Sequence, residues 1–438
     1  MGTSLVLKAA RENTDAYKKR DDDNIPLISA KTDFTIYDYM NAYQDAVVGQ
    51  NGMLTPFLNR GMTPGYHSFI GKSQSGKTSL TVKLAGNIVQ RYPNSVLYFR
   101  DPEKTTTDAR IYSLTGWDVE TFENKLDYVR YGVDHDFLFN DIRRICQIKQ
   151  SLRDQIMIDT GLRDAKGKPI KVYPPDVYIV DSLQSLKLID DDDEVKTGVR
   201  SGNNTDVKDV NVNRHVEGLV TAGSNKLLLN KLSDMVYQYN IRLILINHIV
   251  KNTGEIGSNS RYIQKQMQFL KQDEKLPGGV AYLYQCTNIT RAEFGSRLED
   301  NEFGPDIVGS RNRINMIKNK SNLSGVPVEV IFDQRHGYNS LLSSFNYIQN
   351  RGYGLDGSPR GMNLKMCPSY SFTKRNLWEK LVKDFQEYNV KAPLVNALIA
   401  TTQRCMYYDF VVGRPDPNPE NWSSSAVRMS AIDGVTSK

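Results

Sequence analysis

Gly71-Lys72-Ser73-Gln74-Ser75-Gly76-Lys77-Thr78 is the stretch whose reading decides this chain, because it fits the pattern G-x-x-x-x-G-K-[ST] in full. The apolar run at residues 66–70 ahead of it predicts a strand. Leu80, Leu84, Ile88 and Val89 recur at helical spacing behind it. Strand, glycine turn and helix in that order build a phosphate cradle. Glycines at 71 and 76 let the backbone N–H groups of Ser73, Gln74, Ser75, Gly76, Lys77, Thr78 and Ser79 turn toward phosphate oxygens, and the helix N-terminus adds partial positive charge. In such a cradle the lysine, Lys77, reaches the β- and γ-phosphates, and the Thr78 hydroxyl ligates Mg2+.

At 438 residues the chain has room for two or three cores. With 39% hydrophobic and 24% charged residues it reads as an ordinary folded protein. No apolar run approaches the roughly 20 residues of a membrane span, and the N-terminus lacks a signal h-region, so a cytoplasmic protein without membrane partners is expected. Cys146, Cys286, Cys367 and Cys405 are scattered and form no C-x-x-C pair. Free thiols are therefore expected rather than disulfides or a zinc site. The formal net charge of +6 is compatible with a polyanionic partner but does not select one.

Outward from the cradle, further apolar runs end in polar residues. Residues 96–99 read as a buried strand followed by Arg100-Asp101-Pro102-Glu103, which sets a carboxylate beyond the strand's C-terminal end, where open α/β sheets bind ligands. Residues 176–180 form the next run and terminate in Asp181, placed to face Thr78 across the Mg2+. Residues 241–246 give a third, ending in Asn247-His248. Strand-like alternation is expected at 282–290, with further strands at 313–317 and 326–332 around Lys318-Asn319-Lys320. Two long polar segments interrupt this scheme. Residues 187–225 carry the acidic run 190–194. Residues 251–276 interleave Lys251, Arg261, Lys265, Lys271 and Lys275 with Tyr262 and Phe269 before Pro277-Gly278-Gly279. Cations alternating with aromatics suit a single nucleic-acid strand, although a solvated loop has the same composition. Residues 340–412 read as a small helical unit with Leu377, Leu381, Phe385 and Tyr388 on one face behind a Thr373 cap, and 413–438 as a disordered tail.

This ordered set of motifs resembles the RecA family of DNA recombinases, and within it the strand-exchange recombinases of tailed phages. The resemblance covers roughly residues 60–340. It implies an α/β fold: a P-loop ATPase core at 61–339 with a mostly parallel central sheet flanked by helices, an N-terminal segment 1–60 that docks on a neighbouring subunit, and a small C-terminal helical or α+β domain. It also implies roles. Glu103 would orient and deprotonate the attacking water, and His248 would sense the γ-phosphate. Lys318 and Lys320 would reach a neighbour's ATP across a subunit interface. Asp108 and Tyr112 would lie beside the adenine. Segments 187–225 and 251–276, with Gly278 and Gly279, would bind DNA. The cofactors implied are ATP and Mg2+. The partners are single-stranded DNA, homologous double-stranded DNA and further copies in a helical filament, with a single-strand-binding protein and a loading mediator as accessory factors. If the chain is phage-encoded, its compartment is the host cytoplasm.

Duller readings accompany each role: a helix cap for Glu103, a satisfied polar residue for His248, a solvated strand end for the two lysines. A hexameric helicase on the same core is the alternative activity, with Arg313 as its arginine finger. A nucleotide-switched scaffold is the third.

Overall fold

The computed structural model describes residues 27–48, 53–164, 166–186, 207–251, 270–271, 274–277, 281–352, 354–414 and 416. Residues 1–26 and 49–52 of the proposed docking segment, the acidic run 190–194 and the tail from 417 onward lie outside these residues.

Nine strands form the central sheet: β1 (Gly65–Gly71), β2 (Leu97–Arg100), β3 (Leu126–Val129), β4 (Asp176–Asp181), β5 (Ile241–His248), β6 (Asn288–Arg297), β7 (Gly309–Asn319), β8 (Pro327–Asp333) and β9 (Gly337–Asn339). Their spatial order is β9-β8-β7-β6-β1-β5-β4-β2-β3. From β6 to β3 all neighbours are parallel, whereas β7, β8 and β9 add an antiparallel edge. The chain is thus an α/β protein built on one large mixed sheet.

Uninterrupted apolar strands follow from burial on both faces. Phe69, Phe99, Val177, Ile179, Ile244 and Ile246 meet the helix Lys77–Arg91 through Leu80, Leu84 and Ile88. Their alternates Ile70, Tyr178, Val180, Leu243 and Leu245 meet Ile142 and Ile145 of the helix His135–Ser151 and Leu229, Leu232 and Val236 of the helix Val207–Gln238. A period of two along each strand, read by two helical layers, fixes the register.

Three expectations are corrected. Residues 207–225, assigned to a polar loop, lie in the 32-residue helix Val207–Gln238. A polar composition does not forbid a helix when tertiary packing, here of Leu229, Leu232 and Val236, stabilises it. The alternation at 282–290 is not one strand, because Ala281–Gln285 is helical and β6 starts at Asn288. The Lys318 ammonium donates to the end carbonyls of that helix turn, Leu283 O at 2.6 Å and Tyr284 O at 3.0 Å. On the helix Leu377–Tyr388, Leu377 and Leu381 are buried, but Phe385 and Tyr388 point to solvent. Thr373 does form a capping box, with Asn376, on the short turn before that helix.

Residues 340–412 are not purely helical. The three-stranded sheet Leu355–Ser358, Gly361–Leu364 and Cys367–Phe372 lies between the helix Ser340–Arg351 and those that follow. Their buried side chains, among them Leu342, Phe345, Leu398 and Met406, belong to the same apolar cluster as the P-loop helix. An antiparallel hairpin, Ile158–Arg163 with Pro169–Val172, packs Leu162 and Val172 on Ile28 and Phe57 as a satellite cluster. All four cysteines are buried.

Candidate nucleotide-binding site

The parallel strands β1, β2, β4 and β5 deliver their C-terminal ends to one edge of the sheet, and the four motif segments meet there. Between β1 and the helix Lys77–Arg91 the backbone turns through left-handed conformations at Gln74 (φ 61°) and Gly76 (φ 81°). At Gly76 a Cβ would stand 2.5 Å from the Tyr338 hydroxyl, and at Gly71 it would meet Ala292 O at 2.3 Å. No side chain fits at either position, which is the physical reason for the two glycines. The helix has no acidic residue in its first turn and no side-chain cap, so its first N–H groups are left for an anion. The Ser75 hydroxyl is buried in the turn and, among the described residues, has no hydrogen-bond partner. An orphaned donor beside uncapped N–H groups is what a phosphate would satisfy.

Lys77 is buried, and its ammonium donates to Gly71 O (3.0 Å) and Lys72 O (2.8 Å), with His248 Nδ1 at 3.4 Å. Burial pulls Lys77 down to about 8, opposed by the carboxylates of Asp181 and Glu103. The Thr78 hydroxyl donates to Asp181 Oδ2 at 2.6 Å. Burial raises Asp181 to about 6; the Thr78 hydrogen bond opposes this, and the nearby Glu103 and Asp101 add to it. A carboxylate destabilised in this way, beside a hydroxyl oxygen, is a donor pair that gains from a hard divalent cation.

Glu103 is placed by its loop. Asp101, fully buried, accepts from Lys104 N (2.8 Å), Thr106 N (2.9 Å) and the Tyr128 hydroxyl (2.9 Å), which fixes residues 101–106 beyond β2. The Glu103 N–H reaches Asp181 O at 3.4 Å. Glu103 Oε1 lies 3.3 Å from His248 Nε2 and accepts from the hydroxyls of Ser182 and, at 3.2 Å, Ser185. His248, with these hydroxyls, holds Glu103 down to about 2 against the opposing effect of burial. Glu103, Asp181 and His248 each bring one ligand-capable atom within 4.8 Å of the others.

At the tip of β5, Asn247 is fully buried. It accepts from the His248 N–H (2.9 Å) and donates to Pro277 O (2.9 Å). Pro277 ends the second long loop, whose stem pairs Val250–Lys251 with Glu274–Lys275. Of the expected DNA-contacting residues, Lys251 and Lys275 are exposed on this stem, and the Lys271 ammonium stands 3.4 Å from Glu293. Arg261, Tyr262, Lys265, Phe269, Gly278 and Gly279 lie outside the described residues. Glu274 is tied down by a bidentate bond to Arg291, both contacts 2.8 Å.

Lys318 and Lys320 are not brought to the P-loop of their own chain. Lys318 pairs with Ile289, which pairs with Ser68, so it sits two strands away and three residues short of Gly71. Lys320 is exposed beyond the end of β7. Asp108 is mostly exposed and bonded to Arg130 at 2.8 Å, and the Tyr112 ring packs on Phe122 at 5.9 Å. Sequence reasoning missed Asp101, Ser182 and Ser185. Ser182 directly follows Asp181 and Ser185 lies four positions on, which was the available signal.

No protein-family model matches the sequence, and no curated protein matches it. Among the described residues no helix is long and apolar enough to cross a membrane.

Proposed function

We propose that this chain is an ATP-dependent DNA recombinase of the RecA type, which assembles as a helical filament on single-stranded DNA and exchanges it with a homologous duplex. The observation that carries the reading is one array. Lys77 on its cradle, the Thr78–Asp181 pair and the Glu103–His248 pair meet at the ends of adjacent parallel strands, and the His248 strand is bonded through Asn247 to the return of a basic loop.

The residues suit Mg·ATP. Thr78 and Asp181 would hold Mg2+, which supplies charge neutralisation at the β- and γ-phosphates. Lys77 leaves its two carbonyls for the triphosphate. Glu103, ionised throughout the neutral range, orients the attacking water; held near 2 in the resting site, it is a weak proton acceptor until the phosphates' charge raises it. His248 lies between Lys77 and Glu103, so the state of the γ-phosphate reaches Asn247 and the loop. Lys318 and Lys320, remote from their own cradle, act on the ATP of the next copy, which makes nucleotide and filament mutually stabilising. DNA is held by its backbone, with salt-sensitive affinity. The compartment is the cytoplasm.

Imaging the full chain on single-stranded DNA with a non-hydrolysable ATP analogue, followed by joint-molecule formation, tests this reading. Open helices and joint molecules are expected, and both should vanish in Lys77→Ala. A protein that remains monomeric with every nucleotide overturns it. Arg313, half-exposed with Glu329 only at 3.9 Å, keeps the hexameric motor as the second reading, and closed rings would select that one.

A further inference from the structure

Glu103 stands midway along the loop 101–106, which the Asp101 carboxylate closes on itself through Lys104 N and Thr106 N. One side chain grips this closed loop from outside. Tyr128, on the edge strand β3, directs its single hydroxyl proton between Asp101 Oδ2 (2.9 Å) and Thr106 O (2.5 Å), the two ends of the loop. Its own ring is held in place: the centroid lies 5.1 Å from that of Phe99, its register partner on β2, and the Arg130 guanidinium lies over it at 4.5 Å. The base of the loop is attached separately. Arg100 binds Asp127 O, Asp127 Oδ2 and Asp141 Oδ2, and the Asp101 N–H donates to Val129 O at 2.9 Å. What Tyr128 adds is a tie to the far end, at Thr106.

Resting on the nucleotide reading above, we propose that Tyr128 is a positioning residue for hydrolysis: by tying both ends of the 101–106 loop, its hydroxyl sets where the Glu103 carboxylate stands relative to the γ-phosphate. A carboxylate that orients water acts over one hydrogen-bond length, so a displacement of about 1 Å costs on the order of 10²-fold in rate. The loop has reason to shift when released. Lys104, the residue after Glu103, is held at φ 59°, a left-handed conformation that a side chain adopts at a cost and that the surrounding bonds must offset. Without the hydroxyl, Asp101 Oδ2 keeps Thr106 N, but the Thr106 carbonyl loses the tyrosine and the far end of the loop loses its tie to β3.

The rival explanation is a tyrosine that merely stabilises the edge of the sheet. Tyr128→Phe separates the two, because it keeps the ring with its Phe99 and Arg130 contacts and removes the hydroxyl alone. With the full chain on single-stranded DNA, ATP affinity and KM should stay within about twofold of the parent, whereas the single-turnover hydrolysis rate should fall about tenfold to a hundredfold. Added to Glu103→Gln, the same substitution should slow the residual rate no further, since residues that act through one group are not additive. Asp101→Asn, which exchanges one acceptor oxygen for a donor, should show the same pattern and carries the test if Tyr128→Phe fails to fold. Tyr131→Phe, whose exposed ring lies 5.0 Å from the Lys104 ammonium, should hydrolyse ATP like the parent. A parental hydrolysis rate in the folded variant, a loss confined to ATP affinity, or a multiplicative loss in the double variant overturns the proposal while leaving the nucleotide site standing. A parent protein that neither binds nor hydrolyses ATP overturns the nucleotide reading and this inference with it.

Discussion

His248 Nε2 lies 3.3 Å from Glu103 Oε1, so the residue that ends β5 is hydrogen-bonded to the carboxylate carried by the loop after β2. β4 separates these two strands. The bond therefore crosses over the end of the strand that bears Asp181, and one imidazole borders both the cradle lysine and the acidic pair.

Glu103→Gln should bind Mg·ATP with near-parental affinity and turn it over roughly 10²–10⁴-fold more slowly. Single-turnover hydrolysis alongside equilibrium binding reads the two separately. Equal losses in both would assign Glu103 to holding the loop.

Asp181→Asn should stabilise the nucleotide-free protein at neutral pH. A carboxyl raised from 3.8 to about 6 on folding contributes stability that is complete below its unfolded pKa and is lost as pH rises through 6. The ionised group thus costs on the order of 3 kcal/mol at pH 7.5. Thermal melts of parent and variant should differ at pH 7.5 and converge as pH falls from 6 toward 4. Mg2+ should raise the melting temperature of the parent only.

Asn247→Ala removes the bond between the tip of β5 and Pro277. Nucleotide should still bind, but single-stranded DNA affinity should no longer rise on adding ATP, a coupling of typically roughly 5–150-fold in such linked sites. Fluorescence anisotropy of a labelled oligonucleotide with and without nucleotide measures it. A variant that retains the full ATP response rules out this route.

Lys318→Ala and Glu103→Gln should each be inactive alone and regain partial ATPase activity when mixed, because some interfaces then pair an intact lysine with an intact glutamate. Activity that stays at the baseline across all mixing ratios places both residues within one chain's site.

The cradle and its neighbouring strands were legible because each is specified locally. Two glycines sit where no Cβ fits, and the apolar runs end in polar residues at the sheet edge. Asp181 and Glu103 could be placed by position after a strand. The bonds of the Ser182 and Ser185 hydroxyls to Glu103 could not, because the partners lie 79 and 82 positions apart. Of the helix Val207–Gln238 only the C-terminal part, where Leu228, Leu232 and Met235 keep a helical period, was legible; its earlier half reads as a polar linker. Phe385 and Tyr388 satisfied the helical spacing yet face solvent, since periodicity names a stripe but not what covers it.

The helix Pro393–Met406 packs against Thr35–Met40, so the start and end of the described chain close a single apolar cluster. During synthesis, Ile36 and Tyr37 emerge more than 350 residues before Leu394 and Leu398 can cover them. At ribosomal speeds of roughly 5–20 residues per second that is an interval of tens of seconds. Chaperone demand should accordingly last until residues 393–406 are made, and a stop codon placed after Asn339 should produce inclusion bodies rather than a trimmed folded protein.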